Sequence, residues 1–539
     1  MSIIIHAPKG IAPKLNPRVL PQAQSQTAEN CVLKHGDCRP LSGPSLVQAL
    51  SSNTLAVFKI GGSWKQFNNR ARVIASPVNA ENNRYYYTLA TGGGKKTDTE
   101  TGVLDLAVPR PDTGPSLTIN GTGDGNLLRS SVYVYTRVTD WGEESAPSKP
   151  SGVLDVEYGQ HITFSGLSDG SDAHVTHYRL YRAVGGETSN VWMIVPYQTT
   201  AGSLKYDSDN QIIYDIPKAS VAGAKDGLRD DDLNISIEVE SFHEPPDDLH
   251  SLTDFSNGLI GGLSGREVCF AHPWHPFAWP LGYRYQLDAD GVGMGSMNGV
   301  PIVFTAQSVY LFDGAGPDSY HQRKISEVYG CESALSIAGM PTGVFFASKD
   351  GLCMAHNNGV DILTKDIWTK NQWAALVPSS LMGFYHDDSY YGFFIGSSKG
   401  FILPFGEESV STFDLGNVIH GGYLEPAVGL YVILQATEGR GLYSFDSGTT
   451  LTSTWKSKLF RRPPVNYGAF RIVGEAGSSD IKIFYDGVEK YDETVTHNQA
   501  MRMPSGFTGR DIEVEIESGK IWSGFGLAGN IRELADNGV

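Results

Sequence analysis

Two histidines, His272 and His275, lie three residues apart in the segment HPWHPFAWP. Imidazole nitrogens at this spacing can bind zinc. The prolines of the segment exclude a helix, and no second ligand pair follows at the spacing that zinc fingers use. The sequence therefore predicts a packed aromatic-proline turn here, with no metal site.

Two further segments carry residues that bind ions in other proteins. The carboxylates Asp288 and Asp290 resemble the start of a calcium loop, but the position of the bidentate glutamate is occupied by Gly299. The segment TGGGKKT at residues 91–97 is similar to a phosphate-binding loop, but Leu89 stands where the first glycine is needed, and no helix signal follows. We predict a solvated turn at the first segment and a flexible basic turn at the second.

Two glycine motifs match the patterns of nucleotide-binding and catalytic loops. GFGLAG at residues 524–529 has the spacing GxGxxG, but a dinucleotide site needs a surrounding βαβ unit and an acidic residue about 20 positions later, and only ten residues follow. GSSKG at residues 396–400 fits GxSxG around Ser398. A catalytic serine of this type requires a strand-to-helix turn, whereas strand-like runs flank this motif on both sides. We predict a hairpin turn at Ser398 and no nucleotide site near the C-terminus.

The paired carboxylates of a glycoside hydrolase face each other across about 5–10 Å, a separation that no sequence pattern reveals. A carbohydrate-active enzyme or lectin therefore stays an alternative. Apart from that, the sequence predicts no catalytic, cofactor-binding or metal-binding residues, and a protein that is not an enzyme.

The composition indicates a folded, acidic protein with several domains. The chain has 539 residues, of which 40% are hydrophobic and 19% charged, and this length favours three or four domains. The net charge of −17 argues against tight DNA binding through a basic patch, although an acidic wall would let DNA slide past it. We expect no signal peptide and no membrane span. Five scattered cysteines predict free, mostly buried thiols: Cys31, Cys38, Cys269, Cys331 and Cys353.

The N-terminal half of the chain divides into three predicted regions. Residues 1–50 are rich in proline, which excludes helix and favours an extended arm lying on another structure. Residues 51–103 contain strand-like runs that are predicted to complete a propeller or platform built mainly by a later part of the chain. Residues 104–222 form a module of short strands separated by Gly, Ser and Asp clusters.

Within the 104–222 module, the sequences YVYTRVTDWGEESAPSKPS and YRLYR resemble a fibronectin type III sandwich. In such a sandwich alternate residues face the core, so Tyr133, Tyr135 and Tyr178 are predicted to pack inside. The acidic, proline-marked residues 225–250 that follow are predicted to form a linker or clasp.

Residues 223–450 contain a repeated pattern of glycine, apolar run, short turn and second apolar run. The five copies begin at intervals of 41, 44, 49 and 37 residues, at Gly258, Gly299, Gly343, Gly392 and Gly429. Repeats of this length with paired strands are typical of propeller blades, which bury their faces by packing radially. The fold class predicted is all-β: a β-propeller, an inserted fibronectin type III-like sandwich, and a C-terminal β domain at residues 451–539. In the C-terminal domain, IKIFYDGVEKY predicts a hairpin with an Asp-Gly turn, and DIEVEIESG predicts a strand with one apolar face.

An ordered series of short motifs resembles the tail nozzle proteins (tail tubular protein B type) of short-tailed bacteriophages. The series includes RYYYT at residues 84–88 and, near the end, TWKSKLFRRPPVNYGAFRI and ELA. In the arm, a Leu-Pro leads through Ala and Asn to a Gly-x-x-x-Pro-Leu turn: Leu20, Pro21, Ala28, Asn30, Gly36, Pro40 and Leu41. The central matches are Pro245, Pro246, Leu249, Asn257, Gly258, Gly262, Gly265, Ala278, Trp279, Pro280 and Tyr283.

The resemblance implies a structural virion protein, made in the bacterial host cytoplasm and located in the virion tail. Six copies would form a tube through which double-stranded DNA passes during ejection without sequence-specific binding. The implied partners are other copies of the chain, the tail adaptor ring, and tail fibres or spikes. Trp274 and Trp279 are candidates for either core packing or interface contacts. A tail adaptor or fibre-base protein with the same modules is an alternative.

Overall fold

The computed structural model describes residues 2–78, 84–97, 103–170, 172–186, 189–236, 242–504 and 506–536. Its regular structure is nearly all β-strand, as predicted. The chain divides into two compact units. The first comprises Met1–Arg70, Val292–Phe312 and Arg323–Val539, and the second comprises Ala71–Gly291 and Asp313–Gln322.

The first eleven strands cover the arm and the segment after it. The arm contributes β1 (Ile3–His6), β2 (Ser25–Glu29), β3 (Cys31–Lys34), β4 (Asp37–Pro40) and β5 (Ser45–Ala49). The next six are β6 (Ala56–Ile60), β7 (Ser63–Phe67), β8 (Ala71–Ala75), β9 (Tyr85–Leu89), β10 (Gly94–Thr97) and β11 (Leu104–Asp105). β6 and β7 form a hairpin in the first unit, whereas β8 to β11 form a four-stranded sheet in the second. The predicted 51–103 region is therefore divided between the two units.

The module predicted at 104–222 lies in the second unit and extends beyond its predicted end. Its strands are β12 (Ser116–Asn120), β13 (Leu127–Ser131), β14 (Tyr133–Thr139), β15 (Leu154–Glu157), β16 (His161–Ser165), β17 (Val175–Gly186), β18 (Ser189–Ile194), β19 (Gln198–Thr200), β20 (Ser203–Leu204), β21 (Asp215–Pro217) and β22 (Lys225–Asp226). β22 pairs with β16, and the fully buried Asp226 carboxylate accepts a bond from the Tyr133 hydroxyl at 2.7 Å. The start of the predicted 225–250 linker is therefore part of this core.

The five glycine-led repeats form five successive antiparallel meanders. Their strands are β23 (His250–Asp254), β24 (Ile260–Ser264), β25 (Glu267–Phe270), β26 (Arg284–Gln286), β27 (Gly291–Met297), β28 (Val300–Thr305), β29 (Val309–Asp313), β30 (His321–Ser326), β31 (Ala338–Met340), β32 (Gly343–Ala347), β33 (Leu352–His356), β34 (Gly359–Ile362), β35 (Leu381–His386), β36 (Ser389–Phe394), β37 (Lys399–Pro404), β38 (Ser411–Asp414), β39 (Val418–Glu425), β40 (Gly429–Ala436) and β41 (Gly439–Ser444). In each meander the predicted pair of apolar runs supplies the two central strands, and the fourth strand of the last meander is β5 from the arm. The predicted 223–450 region contributes to both units, because β23 to β26 belong to the second.

The C-terminal strands confirm two local predictions. They are β42 (Ser453–Ser457), β43 (Phe460–Val465), β44 (Ala469–Gly474), β45 (Ser478–Tyr485), β46 (Val488–Thr496), β47 (Met501–Arg502), β48 (Gly509–Ser518) and β49 (Trp522–Ala528). Asp486 and Gly487 turn β45 into β46, both with positive φ, as a tight hairpin requires. On β48, Ile512, Val514 and Ile516 are all buried. Two short helices accompany the strands: α1 (Lys370–Ala375) and α2 (Ile531–Asp536).

The predicted arm is integrated into the sheets of the first unit. β1 and β4 pair with β49, β5 pairs with β41, and β2 pairs with both β38 and β42. Through these two pairings β2 joins the fourth meander and the C-terminal strands into a ten-stranded sheet. The structure on which the arm lies is therefore the same chain.

Candidate functional site

The structure brings the two predicted histidines of HPWHPFAWP into direct contact. The Nδ1 atoms of His272 and His275 are 3.0 Å apart, and they lie 3.1 and 2.9 Å from the carbonyl oxygen of Pro273. The backbone N–H of His275 donates to the His272 carbonyl, and that of His272 donates to the Ala278 carbonyl. The predicted aromatic-proline turn is confirmed.

The two tryptophans of this segment occupy different environments. Trp279 is fully buried, and its Nε1–H donates to the Pro276 carbonyl at 3.0 Å. Trp274 is 54% exposed and adopts a left-handed backbone conformation at φ 63°. Core packing is therefore the role of Trp279, whereas Trp274 presents its indole at the surface.

The glycine motifs lie in ordinary β structure. In the motif at 524–529, β49 pairs on its two sides with β1 and β44 over most of that range, so the segment is an inner strand. The motif around Ser398 is the turn between the antiparallel strands β36 and β37, which confirms the predicted hairpin. The Ser398 hydroxyl donates to Asp414 and lowers the pKa of that carboxyl. This turn borders a cavity of about 650 Å³ that Trp368, Val377 and Phe401 also line.

The prediction of a flexible basic turn at residues 91–97 is wrong for its second half. Residues Gly94–Thr97 form β10, between β9 and β11. The Lys96 side chain is 0% exposed, and its ammonium contacts the carboxylate of Glu143 and, at 3.2 Å, that of Asp172. Burial removes the water around the ammonium at a large cost in hydration free energy, and the attraction of the two carboxylates offsets that cost.

Lys96 belongs to a buried group of charges around an indole, which we name the Trp141 cluster: Arg84, Lys96, Trp141, Glu143 and Asp172. The Arg84 guanidinium lies 3.7 Å from the Trp141 ring centroid and 3.8 Å from the Glu143 carboxylate. Two cations and two anions are buried together, so the cluster is formally neutral. The His174 ring also contacts the indole, at a centroid distance of 3.9 Å.

A second unusual feature lies on the edge strand β5, whose sequence SLVQA has no charge. Within the described chain, β5 has a strand neighbour on one side only, β41. The register shifts between Leu442 and Tyr443, which leaves Val47 as a bulged residue. Leu46 and Val47 are 58% and 45% exposed. The bulge thus turns two successive apolar side chains toward solvent, and we name these two residues the β5 patch.

The other residues considered in the sequence lie in a core or on an exposed turn. Tyr133, Tyr135 and Tyr178 are buried in one core, as predicted. Asp288 and Asp290 lie on an exposed turn, where the Asp290 carboxylate is 3.6 Å from Arg266. The solvated turn predicted there is confirmed.

All five cysteines are buried thiols outside disulfide bonds, as predicted. Burial raises the pKa of the Cys269 and Cys353 thiols to about 12. Burial also raises the pKa of Cys38 well above its usual value, and the neighbouring Cys31 thiol raises it further. The three thiols are therefore protonated near neutral pH and are poor nucleophiles.

The described residues contain no group of three or more His, Cys, Asp or Glu side chains arranged to hold a metal ion. Among the same residues, no helix has the length and apolar character to cross a membrane.

Comparison with known proteins adds little to these observations. No family model matches the chain, and no curated protein matches it. A solved structure described as the extracellular domain of a one component system from B. thetaiotaomicron is similar over 89% of this chain and 82% of that chain. The sequence identity is 11% and the TM-score is 0.21.

Sequence reasoning missed the Trp141 cluster and the β5 patch. The local sequence of the cluster, GGGKKT, is typical of a solvated turn, and the acidic partners lie 47 and 76 positions after Lys96. The signal that could have identified β5 is the run SLVQA, an apolar segment without charge in a proline-rich arm. The exposure of the Leu46 and Val47 side chains depends on the pairing of β5 with β41, about 400 residues away in sequence.

Proposed function

We propose that this chain is a structural subunit of a bacteriophage tail nozzle, and that copies of it form a tube through which the viral genome leaves the virion. The proposal assigns it no enzymatic activity. The observation that carries the proposal is the order of the family-like motifs along the chain, from the Leu-Pro of the arm to the closing ELA. Each motif is short, and the specificity lies in their succession over most of the length.

The strand arrangement supports the architecture that the resemblance implies. The five meanders share one antiparallel strand arrangement, which supports our proposal of a propeller. The strands around Tyr133, Tyr135 and Tyr178 support the fibronectin type III-like sandwich in the same way. The pairing of β1, β2, β4 and β5 with late strands ties the start of the chain to its end.

We further propose that the β5 patch contacts a second copy of this chain. Adjacent exposed apolar side chains on an uncharged edge strand favour association with another surface. The bulge at Val47 interrupts the ladder and disfavours simple extension of the sheet. The contact we propose is therefore made by the Leu46 and Val47 side chains, packed against an apolar surface of the neighbouring subunit.

The acidic character of the protein is compatible with a DNA conduit. A net charge of −17 per subunit repels phosphate, so DNA would pass without binding. The adaptor ring and the fibres or spikes of the tail are the other partners that this proposal implies.

The proposal is tested by native mass spectrometry of the purified chain, together with negative-stain imaging of the protein and of tails isolated from virions. We expect a ring with a central channel, six copies in its mass, and density for the chain at the tip of the tail. A chain that stays monomeric at tens of micromolar and is absent from particles would overturn the proposal. Density at the portal or at the base of the fibres would assign it instead to an adaptor or fibre base.

A further inference from the structure

The His272–Pro273–His275 turn presents three donor atoms in a geometry that suits a metal ion. The two Nδ1 atoms and the Pro273 carbonyl oxygen form a nearly equilateral triangle with sides of 3.0, 3.1 and 2.9 Å. Two adjacent ligands of a six-coordinate ion, each about 2.1 Å from the metal, lie about 3.0 Å apart. In a tetrahedral site the same bond lengths separate the ligands by about 3.4 Å. The triangle therefore matches one face of an octahedron.

The backbone holds this triangle in place from both sides. The Trp274 N–H donates to the Gly258 carbonyl at 3.1 Å, and the left-handed conformation of Trp274 turns the chain between the two histidines. That conformation is uncommon for a bulky residue and is found where the surrounding structure enforces it. A Cβ atom at Gly258 would lie 2.4 Å from the indole, so the turn depends on a glycine beneath it.

The imidazole rings are also fixed by their neighbours. Phe242 packs against His272 and His275 at centroid distances of 5.9 and 5.7 Å. Tyr283 stacks on the His272 ring at 6.1 Å, and Phe277 contacts the His275 ring edge-to-face at 5.6 Å. Rings that are locked by packing lose little entropy when they bind a metal.

We propose that this turn is a binding site for a six-coordinate divalent transition-metal ion such as Ni²⁺ or Co²⁺. His272 and His275 supply nitrogen ligands through Nδ1, and Pro273 supplies its carbonyl oxygen. Imidazole is a preferred ligand of these ions, and a carbonyl is an acceptable third donor. The other three coordination positions of the ion stay open to water or to ligand atoms from a second molecule. Without metal, a protonated Nδ1 donates to the Pro273 carbonyl or to the Nδ1 of the other histidine, depending on the tautomers of the two rings.

The test uses the untagged full-length chain, with Ni²⁺ in isothermal titration calorimetry and Co²⁺ in visible absorption spectroscopy. We expect one ion per chain at this turn and the weak Co²⁺ bands of six coordination. His272→Gln and His275→Gln should each lower the affinity at least about tenfold. His321→Gln is the matched control, because His321 is an exposed histidine of the same unit, and it should leave the affinity unchanged.

A second measurement on the native chain covers the case in which the variants fail to fold. In long-range ¹H–¹⁵N spectra of the histidine rings, Ni²⁺ should broaden the signals of His272 and His275 before those of any other histidine. Equal affinity of the native chain and the two variants, or broadening confined to other histidines, would overturn the proposal. So would an Nδ1–H proton on either ring at saturating Ni²⁺, because a protonated nitrogen cannot be a ligand.

Discussion

The Trp141 cluster and the β5 patch are opposite exceptions to the rule that charged side chains are exposed and apolar side chains are buried. In the second unit, Lys96 and Glu143 are charged and buried; in the first unit, Leu46 and Val47 are apolar and exposed. The buried charges are paired with one another inside the chain. The exposed apolar side chains have no such compensation. We therefore expect the cluster to contribute to stability and the patch to contribute to association, and separate substitutions test the two roles.

The largest effect is expected from Lys96→Met, which keeps the length of the side chain and removes its charge. Glu143 and Asp172 would then be buried with one cation fewer, and an uncompensated buried charge costs about 3–5 kcal/mol. The measurement is urea denaturation of the full-length chain, followed by circular dichroism. The matched control is Lys95→Met, because Lys95 is a neighbour whose ion pair with Asp105 is exposed and contributes about 0–1 kcal/mol.

Lys96→Met should leave assembly of the native fraction unchanged. If it abolished assembly while the free energy of unfolding stayed the same, the cluster would belong to an interface and the comparison would fail.

The next effect concerns the β5 patch, where Val47→Lys places a charge on the edge strand. We expect subunit association to weaken at least about tenfold, because a charge inside an apolar contact loses its hydration without gaining a partner. The free energy of unfolding should change by no more than about 0.5 kcal/mol, since the residue is already exposed. Sedimentation velocity over a concentration series measures the first quantity, and urea denaturation measures the second.

The control for Val47→Lys is Val488→Lys on β46, another edge strand of the same unit. Val488 is 52% exposed, but β46 also carries Glu489, Lys490, Asp492 and Glu493. Charges of this kind protect an edge from association, so a further lysine should have no effect on assembly. Equal losses in both variants would mean that added charge, and not the β5 patch, governs the association.

A smaller effect is expected from Trp141→Leu. The substitution removes the aromatic face from the Arg84 guanidinium, 3.7 Å away, but it leaves both carboxylates paired with Lys96. A desolvated cation–π contact contributes about 2 kcal/mol, which is less than the cost of an unpaired charge. A loss in unfolding free energy as large as that of Lys96→Met would show that the indole, and not charge compensation, is the main support of the cluster.

The sequence predicted local β structure well, because local residues determine it. The glycine-led apolar pairs became the central strands of five meanders, and Asp486-Gly487 became a tight turn. The partners of the arm were not predictable in this way. β2 lies beside β38 and β42, and these contacts join positions about 380 to 430 residues apart. No period or turn signal encodes a pairing at that separation.

The same difference between local sequence and tertiary contacts applies to the candidate sites. His272 and His275 were identified from their spacing, but the approach of their Nδ1 atoms requires the left-handed Trp274 between them. A left-handed conformation at tryptophan is not expected from residue type. The burial of Lys96 was unpredictable because Glu143 and Asp172 reach it only through the tertiary fold.

The smallest expected effect comes from an exposed ion pair in the same unit as the cluster. The Lys218 ammonium lies 2.8 Å from Asp169, and this contact, with a hydrogen bond from the Tyr178 hydroxyl, lowers the pKa of Asp169. Because the folded-state pKa lies below the unfolded-state value, the stabilisation is present above the unfolded-state pKa and is lost as the pH falls through the folded-state pKa. Both side chains are more than one-third exposed, so solvent screening limits the contribution to less than about 1 kcal/mol.

Asp169→Asn should therefore lower the free energy of unfolding slightly at pH 6, and the difference from the native chain should vanish near pH 2. Urea denaturation at the two pH values measures it. A loss of 3 kcal/mol or more (about the cost of a broken buried pair) would mean that this exposed pair behaves like the Trp141 cluster. In that case burial would not explain why the fold depends on some charged side chains and tolerates the loss of others.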